Sequence, residues 1–336
     1  MKAGRGVSRR TGAGGASAPR VPVDGRASTA LAVGEVAAVV VDYETGRVLA
    51  DCVRSVLAEG VGQVVVVENG APGSSREALT DLGDAEARDV GLGGSGHARL
   101  EAARRLAIVS PGRNLGFGAG ANRGVAASRC GDFVLVCNPD VRLHPGAVAA
   151  LVAALARHPE WAIVGPRILT VEGDPYPSAR RFPSAIDAAG HALLGIVHPT
   201  NRFTRRYRTP ELASSGVATV DWVSGACFLV RRAVFEELGG FDERYFMFAE
   251  DLDLCWRARQ AGWGVGFEPA AVVTHIGGVA RRRNPYRMEV AHHRSALRFA
   301  VRTSTGWRRL LLPFALLVLG ARLVLACVRI ATGRPV

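Results

Sequence analysis

The sequence contains no C-x-x-C pair. Its six cysteines, Cys52, Cys130, Cys137, Cys227, Cys255 and Cys327, stand apart and lie mostly inside apolar runs. That spacing gives no support to a zinc site or a disulfide framework, and predicts reduced thiols in a core. The amino terminus has arginines but no apolar segment of the kind a secretory signal needs, so the body is expected in the cytoplasm. A phosphate loop of the form G-x-x-x-x-G-K-[ST] is missing, which leaves a P-loop nucleotidase unsupported. No internal repeat occurs. A net excess of basic charge is also missing from the middle of the chain. The formal net charge is +12, yet residues 1–34 hold six basic and one acidic side chain, and residues 276–336 hold twelve basic and one acidic. The body between them is left slightly acidic, unlike a domain that wraps nucleic acid. Basic ends beside apolar sequence suit an anionic membrane surface better.

What is present is a chain of 336 residues with 48% apolar content, enough to bury a substantial core in one large domain or two small ones. Residues 1–34, rich in Gly, Ala, Ser and Arg, read as a disordered tail. Order is expected from Glu35. The apolar runs 36–41, 64–67 and 133–137 read as strands buried on both faces, as in a parallel sheet. Between the first two, Leu49, Cys52, Val53, Val56 and Leu57 recur at helical spacing. Each strand ends in polar residues, where open α/β sheets bind ligands. The polar, Pro-containing stretch 172–215 is expected to form loops. The domain is expected to close near residue 285. Residues 310–328 are almost wholly apolar, broken by Pro313 and Arg322 and flanked by Arg308, Arg309 and Arg329. The run is just long enough to span a bilayer. A spanning helix and a helix lying in the membrane plane are both open for the segment 286–336.

Three groups of residues could carry chemistry. Asp140 follows a buried strand and a Pro, with Asn138 two residues earlier on the same side. Such a pair could hold a hard cation or a ribose, or could simply form a turn. Glu250, Asp251 and Asp253 crowd into an apolar segment, where neighbouring acids raise one another's pKa as a general base near neutrality requires. They would also suit the first turn of a helix. His275 ends the apolar run 271–274 and precedes Gly277 and Gly278. It could face a diphosphate or its metal, or be structural. Gly116-Phe117-Gly118-Ala119-Gly120-Ala121 fits a dinucleotide-binding loop in pattern, but the strand before it is short and a loop separates the two.

Taken in order, these motifs resemble the family 2 inverting glycosyltransferases with a GT-A fold, over roughly residues 36–280. Residues 39–44 are similar to the first strand and its nucleotide-binding end, and 64–70 to the second strand, whose acid here is Glu68. Residues 113–122 resemble the donor loop. Asn138-Pro139-Asp140 stands where the family has its D-x-D metal motif, with Asn138 replacing the first acid. Glu250-Asp251 stands where it has an E-D pair. Residues 222–232 and 275–278 narrow the likeness to bacterial rhamnosyl- and galactofuranosyltransferases of cell-envelope assembly.

The resemblance implies an α/β GT-A fold: one mostly parallel twisted sheet flanked by helices, with membrane-associated C-terminal helices. It implies a nucleotide-sugar site built from Asp42, Tyr43, Glu44, Glu68, Asn69, Asn114, Gly116, Phe117, Asn122, Asn138, Pro139 and Asp140. Mg²⁺ or Mn²⁺ would sit on Asp140 and His275. Asp251 would be the base, and Trp222, Gly225, Ala226 and Glu250 would shape the acceptor pocket. The expected partners are a nucleotide-diphosphate sugar (dTDP-rhamnose first, UDP-galactofuranose next), a lipid-linked glycan and the cytoplasmic face of the plasma membrane. A nucleotide-sugar-binding membrane protein without catalysis is the reading of another class.

Overall fold

The computed structural model describes residues 29–80, 82, 105–129, 131–182, 198, 201–202, 216–277 and 284–332. Most of the expected tail 1–34, Cys130, most of the polar stretch 172–215, Gly278 and the arginine cluster 281–283 lie outside them.

Strands β1 (Val36–Asp42) and β2 (Gln63–Glu68) are buried at every position. A strand covered on both faces needs apolar residues in succession, which these two supply. Between them α2 (Arg47–Ala58) buries Leu49, Cys52, Val53, Val56 and Leu57, one apolar stripe facing the sheet. A short α1 (Thr29–Gly34) precedes β1, and α3 (Ser74–Ala78) follows β2. Beyond come β3 (Leu106–Val109), α4 (Phe117–Ala127) and β4 (Phe133–Cys137), giving a parallel half-sheet in the order β3-β2-β1-β4. Residues 110–116 separate β3 from α4, so the tight strand-turn-helix of a dinucleotide-binding fold is not formed. The glycines of α4 serve packing instead. A Cβ at Gly124 would fall 2.3 Å from Val39 and 2.9 Å from Val67, so only glycine lets α4 lie this close to the sheet.

The remaining main strands are β5 (Val141–Leu143), β6 (Trp161–Leu169), β11 (Cys227–Arg231) and β12 (Gly264–His275), and the sheet continues β4-β11-β6-β12-β5. Here the parallel run stops. β11 lies antiparallel to both β4 and β6, while β6 and β12 are parallel. Short strands β7 (Pro175–Tyr176) and β9 (Ala218–Val220) add to β6 and β12, and β8 (Ala179–Arg180) pairs with β10 (Trp222–Val223) as a separate ribbon. Helix α5 (Ala147–Arg157) packs on β6 and β12. The helices α6 (Arg232–Glu237) and α7 (Glu250–Gln260) follow β11. One core cluster gathers α2 and α5 against the sheet; the other gathers α4 and α7 against its opposite face. Cys52, Cys137, Cys227 and Cys255 are buried free thiols in these cores. Two C-terminal helices complete the chain, α8 (Pro285–Thr303) and α9 (Leu312–Ala331), joined by a 3₁₀ turn (Gly306–Leu311), with α9 packed on α8.

Candidate active site

β4 stops at Cys137 because Pro139 has no N–H to continue the ladder. The chain turns and re-enters as β5, whose Val141 pairs with His275 at the end of β12. That register brings Asp140 Oδ1 to 3.1 Å from His275 Nε2, with Asn138 Nδ2 at 3.4 Å from the same nitrogen. The Asp140 carbonyl also accepts the Ile276 N–H at 3.0 Å. Asp140 is largely buried and His275 half-buried. A carboxylate oxygen and an imidazole nitrogen at this separation form a mixed O/N donor set that fits a divalent cation, Mn²⁺ more readily than Mg²⁺, whose preference is for oxygen.

The acid cluster at 250–253 divides into different roles. Asp251, in the first turn of α7, accepts the Gly225 N–H through Oδ2 at 2.7 Å and its neighbour's Leu252 N–H through Oδ1 at 2.8 Å. Burial pushes its carboxyl above the ordinary 3.8, and those two N–H groups and the Arg180 guanidinium pull it back. Glu250 is buried deeper, and its Oε2 has no hydrogen-bond partner among the described residues. Burial first, and the Asp251 charge second, push Glu250 well above 4.5. The two carboxyls titrate as a pair, and their surroundings decide where the shared proton sits. N–H donors favour the charged form of Asp251, while the orphaned oxygen favours the neutral form of Glu250. Asp253 is fully buried and holds Arg257 Nε at 2.7 Å and Arg302 Nε at 3.1 Å; it belongs to the scaffold.

These acids are set by a strained approach. Phe248 and Ala249 both lie in the left-handed region, at φ 69° and 63°, immediately before Glu250. Two elements hold the segment there. Phe117 N–H donates to Phe246 O at 2.9 Å from the glycine-rich loop, and Ser295 Oγ of α8 donates to Met247 O at 2.9 Å. Gly116, at φ 87°, makes the first contact possible, since a Cβ there would fall 2.1 Å from Phe246 O. The loop itself is shaped by Asn69. Its Nδ2 donates to Asn114 Oδ1 and to Gly116 O, both at 3.0 Å, and its Oδ1 accepts the Leu115 N–H at 2.8 Å.

The Asp140–His275 corner and the acid pair meet through the backbone. Asn138 N–H donates to Ala226 O at 2.8 Å, and Gly225, the residue before, donates to Asp251. Asp140 and Asp251, over a hundred residues apart in sequence, therefore stand on one rim of one sheet. A carboxylate–imidazole pair and a buried carboxylate on the rim of such a sheet are compatible with sugar transfer from a nucleotide. In agreement, the sequence model of the family described as glycosyltransferase-like family 2 matches residues 34–307. The chain is a family 2 glycosyltransferase.

This transferase is 40% identical over 226 residues to the N-acetylglucosaminyl-diphospho-decaprenol L-rhamnosyltransferase of Mycobacterium tuberculosis, covering 64% of this chain and 73% of that one. It is 35% identical over 98 residues to the rhamnosyltransferase WbbL of Escherichia coli, 29% of this chain and 34% of that one. Among solved structures, a mannosyltransferase of Pyrobaculum calidifontis aligns at a TM-score of 0.52 and 16% identity, covering 89% of this chain and 79% of its own, a likeness of fold.

Several residues expected at the nucleotide or, for Trp222, at the acceptor also hold the transferase's own loops. Asp42 is buried with Oδ1 on Thr45 and Oδ2 on Ser75 Oγ at 2.7 Å. Glu68 Oε1 accepts the Ser75 N–H at 3.0 Å. Burial alone would raise the Glu68 carboxyl; the N–H groups of Gly73, Ser75 and Arg76 and the Ser110 hydroxyl outweigh it and hold the group below 4.5. Glu44 Oε1 accepts the Ala71 N–H at 3.1 Å. Asn122 spends its amide on Phe241, accepting the N–H at 2.9 Å and donating to the carbonyl at 3.0 Å. Trp222 is buried with its indole N–H on Arg181 O at 3.1 Å and the Arg180 guanidinium 4.8 Å above its ring.

The motifs missed one contributor. A cleft beside the donor loop is lined by Tyr43, Asn69, Asn114 and Phe246 together with Asn284 and Arg287, at the start of α8. Arg287 stacks 4.8 Å over the Phe246 ring. Asp140, His275 and Asp251 do not line this cleft. Its basic residue follows the arginine cluster at 281–283, a signal that charge alone could not place.

The pair also makes a prediction about stability. A carboxyl whose folded pKa lies above its unfolded value binds the proton more tightly when folded, so stability falls as pH rises from about 4.5 through the folded value. Glu250→Gln removes that cost. Denaturant midpoints of the two proteins should be close at pH 4 and diverge at neutral pH in favour of Glu250→Gln; a gap independent of pH contradicts the assignment of the proton to Glu250.

Proposed function

We propose that the transferase moves a rhamnosyl group from dTDP-rhamnose onto a lipid-linked glycan in cell-envelope assembly, at the cytoplasmic face of the membrane, with inversion at the anomeric carbon. The observation that carries the reading is the backbone link Asp251–Gly225–Ala226–Asn138, which sets a raised carboxylate and the Asp140–His275 pair on the same rim. The identity to the mycobacterial rhamnosyltransferase supports the choice of sugar and of a diphospho-lipid acceptor.

Asp251 would take the proton of the acceptor hydroxyl as that oxygen attacks the anomeric carbon from the face opposite the nucleotide. Its carboxylate is aimed by the Gly225 N–H, and burial holds its pKa above the ordinary 3.8. Glu250, neutral beside it, leaves the negative charge on Asp251. Asp140 and His275 would hold a divalent cation, which when bound supplies charge neutralisation for the departing nucleoside diphosphate. Tyr43, Asn69 and Asn114 would frame the nucleotide, and the Gly225-Ala226 backbone the acceptor.

Two measurements test this. Purified protein is incubated with a panel of nucleotide sugars and a GlcNAc-diphospho-lipid acceptor; rhamnosyl product from dTDP-rhamnose is expected, and product from another sugar alone overturns the donor. Chelation should abolish turnover and added Mn²⁺ or Mg²⁺ restore it, while Asp140→Ala should lower kcat/KM by more than about 10²-fold. Turnover that survives both treatments removes the metal from the mechanism.

A further inference from the structure

We infer that the α8–α9 hairpin is a monotopic membrane platform: α9 lies in the plane of one anionic leaflet, and does not cross the bilayer. The inference rests on the membrane placement proposed above and fixes its geometry.

Helix α9 has 20 residues, about 30 Å at 1.5 Å per residue, and by length and apolarity it could span. Its packing argues otherwise. Val318 and Ala326 are its buried positions, the half-buried ones, Ala315 and Arg322 among them, continue the same stripe at spacings of three to four residues, and the helix it packs against is α8. Arg322, the charge at mid-helix, thus sits on the inward stripe, and the second arginine, Arg329 in the last turn, is also half-buried. The opposite stripe is apolar throughout. Leu310, Phe314, Leu317, Val324 and Val328 are all more than half exposed, and Trp307 of the preceding turn is 70% exposed. Within α9, Phe314, Leu317, Val324 and Val328 recur at i, i+3, i+10 and i+14, on one face of the helix, and Leu310 and Trp307 of the preceding turn extend it.

The partner helix decides the orientation. α8 is 19 residues long, lies alongside α9, and carries Arg287, Arg294, Arg298 and Arg302. It is anchored to the catalytic domain through Ser295 on Met247 and Arg302 on Asp253 and Asp242. Standing α9 upright across the hydrocarbon would carry α8 and its arginines in with it, and guanidiniums at that depth are strongly unfavourable. Laid flat, α9 buries its apolar stripe at the headgroup boundary, and Arg308, Arg309 and Arg329 at its ends meet anionic phosphates. A lipid surface is therefore the occupant the charges and the stripe both fit. Because α8 touches the strained 246–249 segment, this arrangement also holds the cleft against the leaflet that would carry a lipid-linked acceptor.

The test uses the full chain. Flotation with vesicles of phosphatidylglycerol and phosphatidylcholine in equal parts should carry the protein, vesicles of phosphatidylcholine alone should carry much less, and Leu317→Glu with Val324→Glu should lower binding at least ~10-fold. Both positions are exposed and outside the catalytic machinery, and folding is checked by circular dichroism. In inverted membrane vesicles, protease should remove a carboxy-terminal epitope tag, since a flat α9 keeps both ends on the cytoplasmic side. A protected tag means a spanning helix and overturns the inference. So does absence of vesicle binding accompanied by a dimer that the double substitution dissolves, which would assign the face to a second copy. Transfer to a short-chain soluble acceptor is read in parallel, so loss of the catalytic reading and loss of the platform are separate results.

Discussion

Asp251→Asn is expected to abolish sugar transfer, lowering kcat by about 10²–10⁴-fold, while affinity for the nucleotide stays within a few-fold of wild type. The expectation follows from the hydrogen bonds. Asn keeps an oxygen that accepts the Gly225 N–H, so the turn at 224–226 and the start of α7 should hold. What it cannot do is take a proton. The change therefore isolates the base function, and the readouts are product formation with saturating donor and acceptor beside calorimetric titration with dTDP. Turnover within about threefold of wild type would remove Asp251 from its role. A parallel loss of nucleotide binding would mean that the substitution had damaged the site.

Asp253→Ala should have the largest effect on stability, a loss of about 3–5 kcal/mol, because it leaves two arginines without their shared buried anion. Asp253 is fully buried, with Arg257 on one oxygen and Arg302 on the other. Arg257 also donates to Leu238 O and Gly240 O, so its charge is fixed in the interior. Arg302 reaches in from α8, so Asp253 clasps the C-terminal hairpin to the catalytic domain as well. Urea unfolding of Asp253→Ala measures the loss directly; a change under about 1 kcal/mol would show that the arginines find other partners. The contrast with Asp251 is the point of the comparison. Two acids two residues apart should fail in different ways, one in rate and one in folding.

The strands β1, β2 and β4 were legible because burial on both faces demands unbroken apolar runs, and such runs are a local signal. The stripe of α2 was legible for the same reason. The antiparallel β11 was not. Its sequence resembles any other buried strand, and direction is set by where the chain re-enters the sheet, after the β8–β10 ribbon. Among the candidate site residues, Asp140 and His275 come together as expected, as do Asp251 and Gly225. Asp42, Glu44 and Asn122 look equally functional in sequence, and in the fold they bond Thr45, Ser75, Ala71 and Phe241. A polar residue at a strand end serves ligand or loop according to what folds against it.

The sequence by itself determined the family, the parallel opening of the sheet, the position of the acids at strand and helix ends, and an apolar C-terminal helix. Those properties are written in short-range pattern and motif order. Only the closed chain shows that burial raises the Glu250 and Asp251 carboxyls, that Asp253 is a clasp, that α8 pins the strained segment before Glu250, and which way the apolar stripe of α9 faces. Each depends on groups brought together from distant positions. Desolvation, hydrogen-bond partners and helix-on-helix packing come into being only when the chain closes on itself.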